Sequence, residues 1–260
     1  MKTHHYPLYL TALVLTCCTV PQPHTGTTLP PASKKAPYVN SLGMRFVPVP
    51  GTHILMCTTE TTVAQFKALM QYQRPDFPQE SNHPAESVSW NKSKEWCARL
   101  SKREGRNYRL PTSAEWTAAV GTSTTYPWGN QMPPPDNFGN YMGEGHTDSY
   151  ASHAYFRSLE NKSGFWTIIQ GYHDHHVFTA PVGSYSPNRY GIYDLGGNVW
   201  EWCEDLWDAD HDWRVLRGGS WLNHYHDRLK TAYRLNGTPD GHNVSLGGFR
   251  CVIAEKDDVR

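Results

Sequence analysis

Between Thr122 and Pro181 the chain carries no long run of helical or alternating periodicity; Gly, Pro, His and aromatic residues dominate instead. Irregular backbone of that extent must satisfy its polar groups without a ladder, so it has to be held as ordered loops over a core. This excludes a coiled coil and a plain helical bundle. The composition supplies what such a core needs: 13% aromatic residues, including 10 Trp, with 21 Gly and 19 Pro to turn the backbone. Large rings fill the gaps that irregular segments leave between them. Charge is balanced, with 24 Lys plus Arg against 24 Asp plus Glu. No nucleic-acid partner is expected, because phosphate binding relies on clustered basic side chains.

The N-terminus reads as an address label. Met1 to His5 carries one Lys and two His, and Leu8 to Thr16 is a short apolar run followed directly by Cys17 and Cys18. Such a run is too short to span a bilayer but fits the apolar core of a secretory signal. It also resembles a bacterial lipoprotein signal, in which Cys17 or Cys18 would become the lipidated N-terminus. Residues 1–18 are therefore expected to be a signal peptide or lipoprotein signal, 19–38 a Pro-rich tether, and 39–256 a single domain. Lipidation and simple cleavage both remain open. Membrane contact is expected only through that lipid.

Within the domain, Met44 to Val49 and His53 to Met56 read as short strands around Pro50-Gly51. Val63, Phe66, Leu69 and Met70 recur at helical spacing. A second helix is expected from Trp90 to Arg103, with Ser89 as N-cap, Trp96, Cys97 and Leu100 inward, and Gly105 as stop. A third follows the Thr112-x-x-Glu115 capping box, with Trp116 and Val120 inward and Gly121 at its end. Strands are expected again at Val199 to Cys203, Val215 to Leu216 and Gly248 to Ile253.

Six motifs stand in order. Upstream lie Asn40-Ser-Leu-Gly-Met-Arg-Phe-Val-Pro-Val-Pro50, Val88-Ser-Trp90 and Arg109-Leu-Pro-Thr-x-x-Glu-Trp116. Downstream come Asp194-Leu-Gly-Gly-Asn-Val-Trp-Glu-Trp202, Arg217-Gly-Gly-Ser-Trp221 and Gly248-Phe-Arg-Cys251. Together they resemble the formylglycine-generating enzyme, or sulfatase-modifying factor, family from about Asn40 to Ile253. The resemblance implies an α+β fold of the C-type-lectin-like kind, loop-rich with short twisted strands and a few helices.

Members that make formylglycine hold copper with two Cys after the Gly-Gly-Ser motif. Here those positions carry Asn223 and Arg228, and Trp221 to Leu246 contains no Cys. Copper(I) requires soft thiolates, which neither an amide nor a guanidinium replaces. Copper and sulfatase activation are therefore not expected, and no catalytic residue is assigned. Ser220 and Trp200 are the pocket candidates. Other branches of the family leave two readings. One is a periplasmic tailoring oxidoreductase without the Cys pair, for which iron stays open. The other is a binding or accessory protein, whose ligand surface would be Trp221, Asn223, His224, Tyr225, His226 and Arg228. The sulfoxide-synthase branch takes its iron ligands from an N-terminal helical domain, and only the leader and tether precede residue 40.

By the same resemblance, calcium is the expected cofactor. One site maps onto Asp194, the carbonyls of Gly197 and Val199, and Glu201. A second maps onto Asn140, the carbonyl of Tyr141, Asp174 and the carbonyl of His176. Carboxylate, amide and carbonyl oxygens on irregular loops suit a hard cation. His173, His175 and His176, with His224 and His226, form a weaker transition-metal candidate, since no spaced helical His motif supports it. The resemblance pairs Cys97 with Cys251 as a disulfide, and leaves Cys57 and Cys203 paired together or as buried thiols. The favoured reading is a calcium-stabilised binding or accessory protein of the periplasm or cell envelope, its partner an unidentified protein or small molecule. The oxidoreductase is the alternative.

Overall fold

A computed structural model describes residues 28–72, 80–121, 123–144, 168–241 and 246–255. The leader with Cys17 and Cys18 lies outside the described residues. Among these residues no helix is long and apolar enough to cross a membrane.

Two small sheets carry the fold. The first has five strands in the order β1-β2-β3-β9-β4: β1 (Tyr38–Val39), β2 (Arg45–Pro48), β3 (Ile54–Cys57), β9 (Val252–Ala254) and β4 (Asn107–Arg109). The second has the order β7-β6-β5-β8, built from β7 (Leu235–Gly237), β6 (Arg214–Arg217), β5 (Trp200–Leu206) and β8 (Gly247–Gly248). Strand β9 lies between β3 and β4, with Ile253 opposite both Leu55 and Tyr108.

Among the described residues three α-helices complete the frame: α1 (Val63–Lys67), α2 (Trp90–Glu104) and α3 (Ser113–Val120). Their ends follow the chemistry of the sequence. Ser89 Oγ accepts from the Lys92 amide, and Gly105 ends α2 at φ 68°. The α3 capping box is closed at both ends, Glu115 N to Thr112 Oγ1 and Thr112 N to Glu115 Oε2. A second box, Thr62 with Gln65, starts α1 and went unread in the sequence. Helix α2 buries Ser93, Trp96, Cys97 and Leu100. Trp96 meets Phe249 edge-on, at 5.4 Å between ring centroids. Phe249 thereby joins the helix to the connection between β8 and β9.

Two expectations are corrected. Gly248 to Ile253 is not one strand: Gly247–Gly248 runs parallel to β5 in one sheet, and Val252–Ala254 enters the other. The intervening Phe249, Arg250 and Cys251 are all fully buried, so no alternation marks the break. The domain also begins before residue 39. Tyr38 pairs with Phe46, Pro30 is buried, and Leu29 and Ala32 pack on the core. The described end of the expected tether is thus part of the domain.

Candidate functional site

The segment from Asp194 to Val199 enters β5, and Arg217 to Trp221 leaves β6. Arg217 pins the second segment to α3: its guanidinium donates to Ser113 Oγ, Thr117 Oγ1 and Thr231 O and lies over the Trp116 ring. Asp194, Gly197 and Asn198 all adopt left-handed backbone, at φ 54°, 81° and 59°. At Gly197 this is obligatory, since a Cβ would run into the Asn140 carbonyl oxygen. The tight turn brings the Asp194 loop against the Asn140 loop.

Beneath it lies a buried charge cluster. Glu60, Asp194, Glu201 and Arg250 are 0%, 6%, 1% and 0% exposed. Arg250 grips Glu201 through Nη2 at 2.6 Å and Nε at 2.7 Å, and Trp116 Nε1 donates to Glu201 Oε2 at 2.8 Å. The same guanidinium donates to the carbonyls of Cys57, Tyr193 and Asp194. Glu201, expected as a cation ligand, therefore carries the Arg250 cation on both oxygens and acts as an ion-pair partner. Glu60, unread in the sequence, takes its place beside Asp194. Their side chains stand within hydrogen-bonding reach. Asp194 Oδ1 and Glu60 Oε1 have no donor, whereas Asp194 Oδ2 accepts from the Gly183 amide at 2.6 Å.

Three carboxylates thus surround one guanidinium. Burial, opposed by the Gly183 amide and the Arg250 charge, pushes the Asp194 carboxyl up to about 6. Burial, followed by the charges of Asp194 and Glu201, raises Glu60 well above the carboxylate range. Burial opposes the charge on Arg250, but Glu201 more than offsets it and holds the guanidinium above its ordinary value. Two adjacent buried carboxyls that cannot both stay charged can be held by a shared proton or by a hard cation.

The second set also comes together. Asp174 is buried, accepts from the amides of Tyr141 (3.0 Å) and His176 (3.2 Å), and has its carbonyl bonded by Tyr185 Oη. Asn140 is fully buried; its Nδ2 donates to Phe178 O and Asn198 Oδ1, while its Oδ1 has no partner. An orphaned amide oxygen, on the residue before the amide that Asp174 binds, also fits a hard cation.

The turn after Ser220 departs from the expected ligand surface. Asn223 is 6% exposed, and its Oδ1 accepts from Ser220 N at 2.7 Å and Ser220 Oγ at 2.9 Å. It is a turn-closing residue. Trp221, edge-on to Phe178, is 1% exposed, so neither it nor Asn223 presents a surface. Ser220 and Trp200 are likewise covered, Trp200 lying against Tyr233. What remains outside is Tyr225, 55% exposed, with Arg228 over its ring, and exposed His226. His224 is half-buried against Tyr225, and burial lowers its imidazole.

Among the described residues no three His, Cys, Asp or Glu side chains converge in a way that could hold a metal ion on their own. A cation here needs carbonyl and amide oxygens as well. The His groups do not assemble: His173 faces Glu144 at 3.5 Å on the surface, and His175 is exposed. The expected Cys97–Cys251 bond is not formed, since Cys57, Cys97, Cys203 and Cys251 are all free and buried. Burial raises each thiol, Cys97 to about 12, so none is primed as a nucleophile.

Residues 34–255 match the model of the sulfatase-modifying factor enzyme 1-like domain. A formylglycine-generating enzyme of Thermomonospora curvata is 33% identical over 196 residues, covering 66% of this chain and 55% of that protein. An inactive C-alpha-formylglycine-generating enzyme 2 of Bos taurus is 35% identical over 181 residues, covering 65% of this chain and 50% of the relative. The chain thus spans about half the length of these curated relatives. Among solved structures, PvdO from Pseudomonas aeruginosa superposes with a TM-score of 0.58 at 20% identity, covering 77% of this chain and 80% of that one. The Treponema denticola variable protein 1 gives 0.56 at 24% identity over 77% and 84%. These two structures share the fold.

Proposed function

Because this chain belongs to the sulfatase-modifying factor enzyme 1-like family, we propose that it is a calcium-stabilised binding or accessory domain of the cell envelope that does not make formylglycine. Family membership leaves activity open, since its relatives include one named for making formylglycine and one named inactive. The observation that carries the reading is Asn223. At the position where the resemblance places the first copper thiolate, its amide closes a turn onto Ser220. At the second position Arg228 stacks on an exposed tyrosine. No soft ligand stands at either place, so copper(I) would have nothing there to bind.

Calcium would be held at Asp194 and Glu60 with the carbonyls of Gly197 and Val199. A second ion would take Asn140 Oδ1, Asp174 and the carbonyls of Tyr141 and His176. A bound cation would supply positive charge that neutralises the buried carboxylates and fixes the loops between Asn140 and β5. The exposed Tyr225, His226 and Arg228 are the surface that remains for a protein or small-molecule partner. Export rests on the signal-like residues 1–18.

The test has two parts. A Cys-containing sulfatase peptide is incubated with the copper-loaded protein under oxygen and read by mass spectrometry; no aldehyde should form, and formylglycine would overturn the reading. Melting is then compared in chelator and in excess calcium at equal ionic strength. An ion that binds only the folded state stabilises it by about 2.7 kcal/mol at a hundredfold excess over its dissociation constant. Equal midpoints would remove calcium from the reading. Stoichiometric iron or copper in the purified protein would favour the oxidoreductase instead.

A further inference from the structure

Asn198 lies between the two oxygen clusters and bonds to both. It is 1% exposed, and its amide N–H donates to the Asn140 carbonyl at 2.9 Å. Its side-chain Oδ1 accepts from Ala180 N at 2.9 Å and from Asn140 Nδ2 at 3.2 Å. The other end of the same planar amide, Nδ2, donates to Glu60 Oε2 at 3.3 Å and to Ala180 O at 3.4 Å. One rigid group therefore holds a side chain in each cluster, sharing Asn140 Nδ2 with Phe178 O at 2.7 Å. By engaging Asn140 Nδ2 it leaves Asn140 Oδ1 as the undonated atom. By engaging Glu60 Oε2 it leaves Glu60 Oε1 as the oxygen without a donor.

An amide cannot turn one end without turning the other. A cation that fixes Asn140 Oδ1 also fixes Asn140 Nδ2, hence Asn198 Oδ1, hence the donor to Glu60. We propose that Asn198 is a positioning residue that couples the two cation clusters, so that filling one tightens binding at the other. The inference rests on the calcium reading above. A coupling of this kind is ordinarily worth a change of about 5-fold or more in affinity, equal in both directions.

The experiment is calorimetric titration of the chelator-treated full chain with calcium, for the natural protein and three variants. Asn140→Ala removes a side-chain ligand from one cluster. Asn198→Gly keeps the left-handed backbone and deletes the connecting amide, and Asn198→Asp is a second disruption that also tolerates this φ. In the natural background Asn140→Ala should weaken the remaining ion by about 5-fold or more. In either Asn198 background the same change should leave the remaining ion unaffected. If Asn140→Ala shifts the remaining affinity equally with and without the Asn198 amide, the coupling role is overturned. An unchanged remaining affinity in the natural background overturns it too, with calcium binding intact. If the natural protein binds no calcium, the calcium reading itself fails and this inference falls with it. Far-UV circular dichroism of each variant before titration restricts the comparison to folded protein.

Discussion

Replacing Arg250 with Met removes the one cation of the buried cluster while keeping much of the apolar stem. The fully buried guanidinium makes two contacts to Glu201 and donates to three carbonyls. Breaking a buried ion pair by removing one partner costs about 3–5 kcal/mol, because the other charge stays buried and uncompensated. Here Glu201 is left unpaired beside Asp194 and Glu60, whose carboxyls are already raised, so the whole of that range is expected in chelator. For a domain of this size that corresponds to a midpoint lower by about 6–20 °C. Glu201→Gln should cost less. It keeps an acceptor for Trp116, and Arg250 retains its carbonyls and two neighbouring carboxylates. Urea titration at neutral pH, in chelator and in calcium, reads both variants, and calcium should recover part of the Arg250→Met loss. A cost for Arg250→Met under about 1 kcal/mol would refute this account of the cluster, as would a larger cost for Glu201→Gln.

Three other outcomes are expected. Gly121 ends α3 at φ 74° with the Tyr190 ring in the path of any Cβ; Gly121→Ala should cost about 1–3 kcal/mol by thermal melting. Non-reducing peptide mapping should recover Cys97 and Cys251 as free thiols, and a linked Cys97–Cys251 peptide would restore the pairing that the family resemblance implies. Burial works against the Glu115 carboxylate, but Arg109 and the Thr112 cap hold it below the ordinary range. Its stabilising contribution is thus present above that range and is lost as pH falls through the lowered value. Glu115→Gln should be less stable than the natural protein at neutral pH, and the difference should close below about pH 4.

The sequence was most readable where chemistry is local. Ser89, Thr112 with Glu115, Gly105 and Gly121 mark helix ends by their own side chains, and the helices stand where those marks lie. It was least readable where long-range burial removes the pattern. Phe249, Arg250 and Cys251 are all covered, so nothing in their order separates β8 from β9. Glu60 has no local signature, since its role comes from Asp194 and Asn198, far away in the chain. Trp221 and Asn223 resembled a contact surface by composition, yet their burial depends on Phe178 and Ser220.

The placement of β8 and β9 has a consequence for how the chain acquires its structure. Both sheets wait for the same short segment, residues 247–254: its first half adds the parallel edge beside β5, and its second half inserts between β3 and β4. During synthesis β3 and β4 cannot be bridged, and the hydrophobic faces around Leu55 and Tyr108 stay uncovered, until those residues emerge. Pairings of such sequence separation form slowly, because a large loop must close before any contact compensates. The nascent domain therefore stays open and association-prone until residues 247–254 have been made, and losing them would leave two unfinished sheets instead of one trimmed edge.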